Sequence, residues 1–310
     1  MTEPAPAPRQ RFALFCKSFR RDVSRCVRLV ESVQRYAQGP VPVVLSVPQA
    51  DLPLFRSSLP RDGVELVTDE AIVGGPLKQS WRTQQIVKLE AWRLDFADVW
   101  LIVDSDGAFV RPFSSADFID AEGRVAFVGS RILHLFDQHE RALLAYMREG
   151  RGLDLPDVAQ LLALRGGRAP LAIPRTQRFI DAVAKSPLAT RIVRIQSFFD
   201  RRGPELHFQP MPVWTRESFQ ALDRELLAPH RLRAADLIRY SPWEAIWMGE
   251  WEIYRGLPNR YVAECFFLHF ISDGAMQHAR AAGLTTDDVA KRYVGLILAA
   301  GHGSQQLEAF

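Results

Sequence analysis

The sequence predicts an α/β fold: a Rossmann-like mixed sheet flanked by helices, with a helical insertion. Three observations predict it. Short apolar or β-branched runs alternate with amphipathic helical patterns over the first hundred residues, the signature of βαβ units. The run Val99-Trp-Leu-Ile-Val103 is apolar throughout, as suits a strand buried on both faces. The composition, 47% hydrophobic and 24% charged over 310 residues, supports a full core and excludes a disordered chain.

The elements follow in order. Residues 1–10 are rich in Pro and Ala and read as a disordered tail without the apolar centre of a signal peptide. Phe12 to Cys16 reads as the first strand. From Val23 to Tyr36, Val23, Val27, Val30 and Val33 recur at helical spacing, and Gly39-Pro40 stops the helix. Val41 to Val47 and Val64 to Val67 read as the second and third strands. Trp81 to Phe96 reads as a helix leading into the fourth strand, Val99 to Val103. Residues 131–205 are helical in pattern and rich in Arg, and form the insertion. Pro204 to Trp214 reads as extended chain, and Arg216 to Leu227 and Pro242 to Tyr254 as helices. Thr285 to Ala300 reads as a closing helix. Thr285 or Thr286 would cap it, with Asp287 and Asp288 near its positive end. The expected organisation is one domain over 11–275 and a helical tail over 276–310.

The formal charge of +3 leaves no field for a dedicated nucleic-acid binder. Three cysteines, Cys16, Cys26 and Cys265, contain no Cys-x-x-Cys pair, which speaks against a disulfide framework or a structural zinc. No run approaches the roughly 18 apolar residues of a membrane span. A soluble, cytoplasmic protein is expected, with peripheral membrane contact left open.

In parallel sheets ligands bind beyond the carboxyl ends of the strands. Asp104-Ser105-Asp106 lies there, directly after the fourth strand. Two carboxylates one residue apart repel each other and attract a hard divalent cation, Mg²⁺ or Mn²⁺, which can bridge a diphosphate. The plainer reading is a turn, because Asp, Ser and Gly107 are turn formers.

Strand, Asp-x-Asp, then Phe109-Val-Arg-Pro-Phe113 resembles the GT-A fold of nucleotide-sugar glycosyltransferases. Upstream, Trp81-Arg-Thr-Gln84-Gln85-Ile-Val-Lys88-Leu89 resembles the helix that enters the motif strand in one bacterial family of such proteins. Met211-Pro-Val-Trp214 and Glu250-Trp-Glu252-Ile-Tyr254 resemble two further blocks of it. The last block departs from the family's usual Ser-Glu-Tyr-Glu-Leu-Tyr-Gly: Gly249 and Trp251 replace its Ser and Tyr, and Arg255 precedes Gly256. The resemblance covers about residues 10–275 through short blocks. It implies a metal-dependent transferase. The donor would be a nucleoside diphosphate sugar of UDP or GDP type, and the acceptor a glycan, a lipid-linked glycan or a small molecule. It also implies a late histidine in the metal shell, for which His269 is the candidate.

The remaining blocks carry two readings each. Gln84 and Lys88, four apart, share a helix face and suit a nucleotide's phosphate or ribose, or else Lys88 pairs with a neighbour such as Glu90 in solvent. Lys17 and Ser18 follow the first strand, where a GT-A-like fold first meets nucleotide; Ser18 or Asp22 is equally a helix cap. His269, within an apolar run, is a metal ligand or a core histidine with a backbone partner. Glu250 or Glu252 is a general base for an inverting transfer, or a plain glutamate. On a helix the two lie about 200° apart and cannot face one site together. Trp243, Trp247 and Trp251 recur every four residues, as a core stripe does. Trp214, after a proline-rich extended segment, is the better stacking candidate.

Two competing functions remain open. Val103-Asp104-Ser105-Asp106-Gly107 also looks like the first motif of haloacid-dehalogenase-type phosphohydrolases, with Asp104 as nucleophile. The hundred residues before it and the Ala at position 108 oppose that. The third reading is a non-catalytic GT-A-like scaffold that binds a carbohydrate or a partner.

Overall fold

The computed structural model describes residues 10–128, 130–131, 187–201, 205–206, 211–263, 265–270, 273–281 and 283–298. Most of the predicted insertion and the two chain ends lie outside these residues.

The first half builds the central sheet. Strands β1 (Phe12–Lys17), β2 (Val43–Val47), β3 (Val64–Thr68) and β4 (Val99–Val103) alternate with helices α1 (Val23–Tyr36), α2 (Leu52–Ser58), α3 (Asp69–Val73) and α4 (Trp81–Glu90). α4 is shorter than its pattern suggests: it ends at Glu90 and one tighter turn, Ala91–Arg93, follows. After β4 come the short strands β5 (Gly107–Phe109), β6 (Val125–Phe127), β7 (Ser130–Arg131), β8 (Glu205–Leu206) and β9 (Val213–Thr215), with helix α5 (Pro187–Phe198) before β8. The second half adds helices α6 (Arg216–Ala221), α7 (Ala234–Tyr240) and α8 (Glu244–Tyr254), and strands β10 (Arg260–Val262) and β11 (Phe267–Phe270). It closes with helices α9 (Asp273–Ala281) and α10 (Thr286–Ala290) and strand β12 (Gly295–Leu298).

The main sheet has the order β3-β2-β1-β4-β9, parallel throughout except for β9, which runs antiparallel to β4. The buried strands split by alternation, as period-two side chains must. Ala13, Phe15, Val44, Trp100 and Ile102 pack with α4, α6 and α8. Leu14, Cys16, Val43, Leu45, Leu101 and Val103 pack with α1 and α2. The chain leaves β1 towards β2 on one side and returns at β4 on the other. The strand order therefore reverses between β1 and β4, and the crevice beyond their carboxyl ends is where such sheets take ligands.

The expected closing helix ends early. Thr285 caps α10, accepting from the Asp288 amide, and Asp288 returns a bond to the Thr285 amide. The chain then straightens, because Gly295-Leu-Ile-Leu298 is an apolar strand that pairs with β11 on one side and β5 on the other. Gly295 is required there: a Cβ would lie 2.5 Å from the Ala108 carbonyl oxygen. The segment expected as a helical tail is therefore partly sheet. It reaches the acidic loop directly, since the Leu298 amide donates to the Asp106 carbonyl at 3.0 Å.

One buried polar group is left unsatisfied in α4. Both side-chain amide atoms of Gln85 are buried without a hydrogen-bond partner, and the residue is 1% exposed. An unsatisfied buried amide costs about 1–3 kcal/mol. Gln85→Met, of similar shape, is expected to raise the thermal midpoint; a lower midpoint would show that the amide is satisfied in solution.

Candidate functional site

Two loops meet at the crevice: residues 18–22 after β1 and residues 104–106 after β4. The second is a tight turn, closed by the Gly107 amide donating to the Asp104 carbonyl at 3.0 Å. Gly107 packs against the Met211 methyl, which a Cβ there would have to displace.

The Asp104 carboxylate is the centre of a charged cluster. Lys88 Nζ donates to Asp104 Oδ1 at 2.7 Å and to Glu244 Oε1 at 3.0 Å. Gln84 Nε2 also reaches Asp104 Oδ1, at 3.4 Å. Gln84 and Lys88 thus share the crevice face of α4, as their spacing predicts. The Lys88 side chain is 7% exposed, whereas Asp104 is 38% exposed and faces the crevice rim. Burial lowers the Lys88 pKa, but Asp104 and Glu244 outweigh it, so the ammonium titrates above the ordinary lysine range. Glu244, in the first turn of α8, is the residue that sequence reasoning missed. It lies 156 positions from Lys88, and nothing local marks it.

Beside this cluster opens a cleft of about 470 Å³, lined by Phe19, Arg20, Arg21, Asp51, Gln79, Ser80, Trp81 and Gln84. Its size is that of a small-molecule site. Arg20 is held in place by Asp51, which accepts from the Arg20 amide at 2.8 Å and from its Nε at 3.3 Å. Ser80 caps α4, its hydroxyl accepting from the Thr83 amide at 3.2 Å. Gln84 belongs to both the cleft and the acidic cluster and joins them.

The chemistry of the donor set fits a hard divalent cation. Asp104 offers a part-exposed carboxylate at the rim, Asp106 is half-buried with its Oδ1 inside, and Mg²⁺ is commonly held by one or two carboxylates plus substrate phosphates and water. Among the described residues no group of three His, Cys, Asp or Glu side chains converges to hold a metal. His269 lies on β11, level with Ile297 of β12, which is itself level with Gly107 of β5. It is thus two strands from the acidic loop and does not form a ligand group with Asp104 and Asp106.

Several predicted site residues are placed elsewhere. Lys17 is fully buried and pairs with Asp69 at 3.0 Å, and its ammonium also sits 3.6 Å from the centre of the Phe19 ring. Burial pushes the Lys17 pKa down and the Asp69 carboxyl up, each against the pull of the other. Ser46 and Gln79 also bond Asp69, so Lys17 ties the ends of β1, β2 and α3 together and does not reach the cleft. Ser18 is buried as well, and the cleft is lined by the next three residues instead. Asp22 gives no cap bond to α1; its carboxylate takes Arg25 at 2.7 Å and Arg21 at 3.4 Å. Ser105 is half-buried in the turn.

Trp214 is 4% exposed, and its ring packs edge-on against Phe219 at 5.3 Å. It stands level with Trp100 in the sheet and is core, not a stacking platform. Glu250 and Glu252 lie on α8, on different faces, and both are buried. Glu250 accepts from Gln196 at 3.0 Å and Arg201 at 2.6 Å. Glu252 takes Arg260 bidentately, at 2.7 and 3.2 Å. A base must reach the proton that it removes. These carboxylates are instead turned inward onto arginines, so the expected base role does not fit their positions.

A family model described as a family of unknown function (DUF6492) matches residues 14–148, from β1 past the acidic loop. No curated protein matches. Among solved structures, the apo form of the WbbM bifunctional glycosyltransferase is similar at 12% identity and a TM-score of 0.49. That likeness covers 96% of this chain and 47% of the other, so the chain spans about half the length of that structure.

Proposed function

We propose that the protein is a glycosyltransferase of GT-A type that uses a nucleoside diphosphate sugar, with the cleft and the acidic loop as its donor site. The observation that carries this reading is the union, at the strand-order reversal, of the Asp104–Lys88 cluster with a nucleotide-sized cleft. Gln84 bridges the two. Phe19 and Trp81 offer ring faces for a base, and Arg20 and Arg21 offer charge for phosphate. The Lys88 ammonium, held by Asp104 and Glu244, would add positive charge behind the acidic loop. Asp104 and Asp106 would hold Mn²⁺ or Mg²⁺, and a cation there supplies positive charge to the leaving diphosphate.

In the transfer, the bond between the sugar's anomeric carbon and the diphosphate oxygen breaks. The bonding pair leaves with the diphosphate oxygen, the acceptor oxygen bonds to that carbon, and the acceptor's proton passes to the departing diphosphate or to water. Glu250 and Glu252 take no part in this reading, because both are locked in buried pairs.

A donor screen tests the proposal. The protein is incubated with Mn²⁺ and a panel of UDP- and GDP-sugars, and release of free nucleoside diphosphate is followed. Slow release from one donor, lost in Asp106→Asn, is expected. Release of phosphate from an aryl phosphate with no sugar-nucleotide turnover would favour a phosphohydrolase. No turnover with carbohydrate binding retained would favour a scaffold.

A further inference from the structure

A ridge of half-exposed aromatic rings and arginines runs away from the cleft. It starts at Trp81, which lines the cleft and is 49% exposed. The Trp81 ring meets Trp243 edge-on at 6.2 Å, and the Arg191 guanidinium lies 5.5 Å from its centre. One turn along α5, the Arg194 guanidinium lies 4.7 Å over Tyr240, which is 42% exposed. One turn further, Phe198 is 38% exposed and 5.9 Å from Tyr240. Positions 191, 194 and 198 share one helix face and span about 10 Å. Ser241 pins this helix to the end of α7 by donating to the Arg191 carbonyl at 3.2 Å.

Neither Arg191 nor Arg194 has a carboxylate partner among the described residues. Both guanidinium groups lie against aromatic rings. The nearby Glu244 is turned away and taken by Lys88.

We infer that this ridge binds an anionic saccharide, one bearing carboxylate or phosphate groups; its role as the acceptor rests on the transferase reading above. Aromatic faces accept the apolar face of a sugar ring, and a guanidinium fork matches a carboxylate or phosphate bidentately. A lipid surface fits less well. Among the described residues the exposed large side chains of the ridge are all aromatic, and two of the rings carry a guanidinium, a poorer match to hydrocarbon than to a sugar ring with an acidic group. A nucleic acid fits less well too, since two ring-stacked arginines on a chain of formal charge +3 are few against its phosphates. The ridge begins at the edge of the cleft, so a chain lying along it ends beside the proposed donor site.

Calorimetry without any donor tests the inference, using hexagalacturonate, the neutral maltohexaose and phosphatidylglycerol vesicles as probes. Wild-type protein is expected to bind hexagalacturonate and to bind maltohexaose at least about tenfold more weakly. Arg191→Gln/Arg194→Gln is expected to lose about tenfold or more for hexagalacturonate, and Arg191→Lys/Arg194→Lys to recover only part of it. Arg56→Gln/Arg61→Gln, two exposed arginines on another part of the surface, stays within about twofold of wild type. No hexagalacturonate binding, equal binding of the neutral sugar, an equal loss in the Arg56/Arg61 control, or binding of vesicles alone each overturns the proposal. Donor turnover by wild-type protein is scored separately. Arginine-dependent saccharide binding without it would sink the transferase reading and leave the ridge standing.

Discussion

Arg260→Ala is expected to cost about 3–5 kcal/mol of folding stability, the usual penalty for stranding one partner of a buried ion pair. Arg260 and Glu252 side chains are each 1% exposed and bond bidentately. The same guanidinium donates to the Val213 carbonyl at 3.2 Å and the Ala126 carbonyl at 3.4 Å. It therefore joins α8 to β6 and to β9 at the edge of the main sheet. Removing it leaves a buried carboxylate and two carbonyls without their donor. Glu252→Gln keeps the shape and loses the charge, and a smaller loss is expected. Urea unfolding monitored by tryptophan fluorescence reads both. If Glu252→Gln folds with unchanged stability and turnover alone collapses, Glu252 is a base after all.

Lys88→Met is expected to lower donor turnover about 10²-fold or more, as for removal of a positioned charge in an electrostatic site. The ammonium faces Asp104 and Glu244 together, so its removal also leaves two carboxylates facing each other. Lys88→Met/Glu244→Gln removes that repulsion and separates folding from function. The double variant should regain stability and stay inactive. The raised Lys88 pKa fixes the sign of the pH response. Its folded pKa lies above the unfolded value, so its contribution is complete below about pH 10 and fades only as pH rises beyond that. Donor binding should show no Lys88 break between about pH 6 and 9, and restored turnover in the double variant would remove the lysine from the site.

Much of the frame is legible from local pattern. α1 runs from Val23 to Tyr36 and β4 from Val99 to Val103, because a valine stripe and an apolar run each leave one way to bury themselves. The acidic turn and the shared face of Gln84 and Lys88 follow from spacing alone. What is not legible is the identity of distant partners. Glu252 reads as a candidate base until Arg260 closes on it, and Lys17 reads as a phosphate ligand until Asp69, over fifty positions away, buries it. Trp214 follows a proline-rich segment and looks exposed; the antiparallel pairing with β4 puts it in the core. Gly295-Leu-Ile-Leu298 continues a helical pattern in sequence, and only the open edges of β11 and β5 make it a strand. Glu244 carries no local signal at all.

The most direct test is a calorimetric titration of UDP and of GDP into wild-type protein and Asp106→Ala, with and without Mn²⁺. One nucleotide is expected to bind wild-type protein in a Mn²⁺-dependent way, and the variant to lose that dependence. Binding that ignores both the cation and the aspartate, or no binding of either nucleotide, would contradict a donor site at the rim of β4.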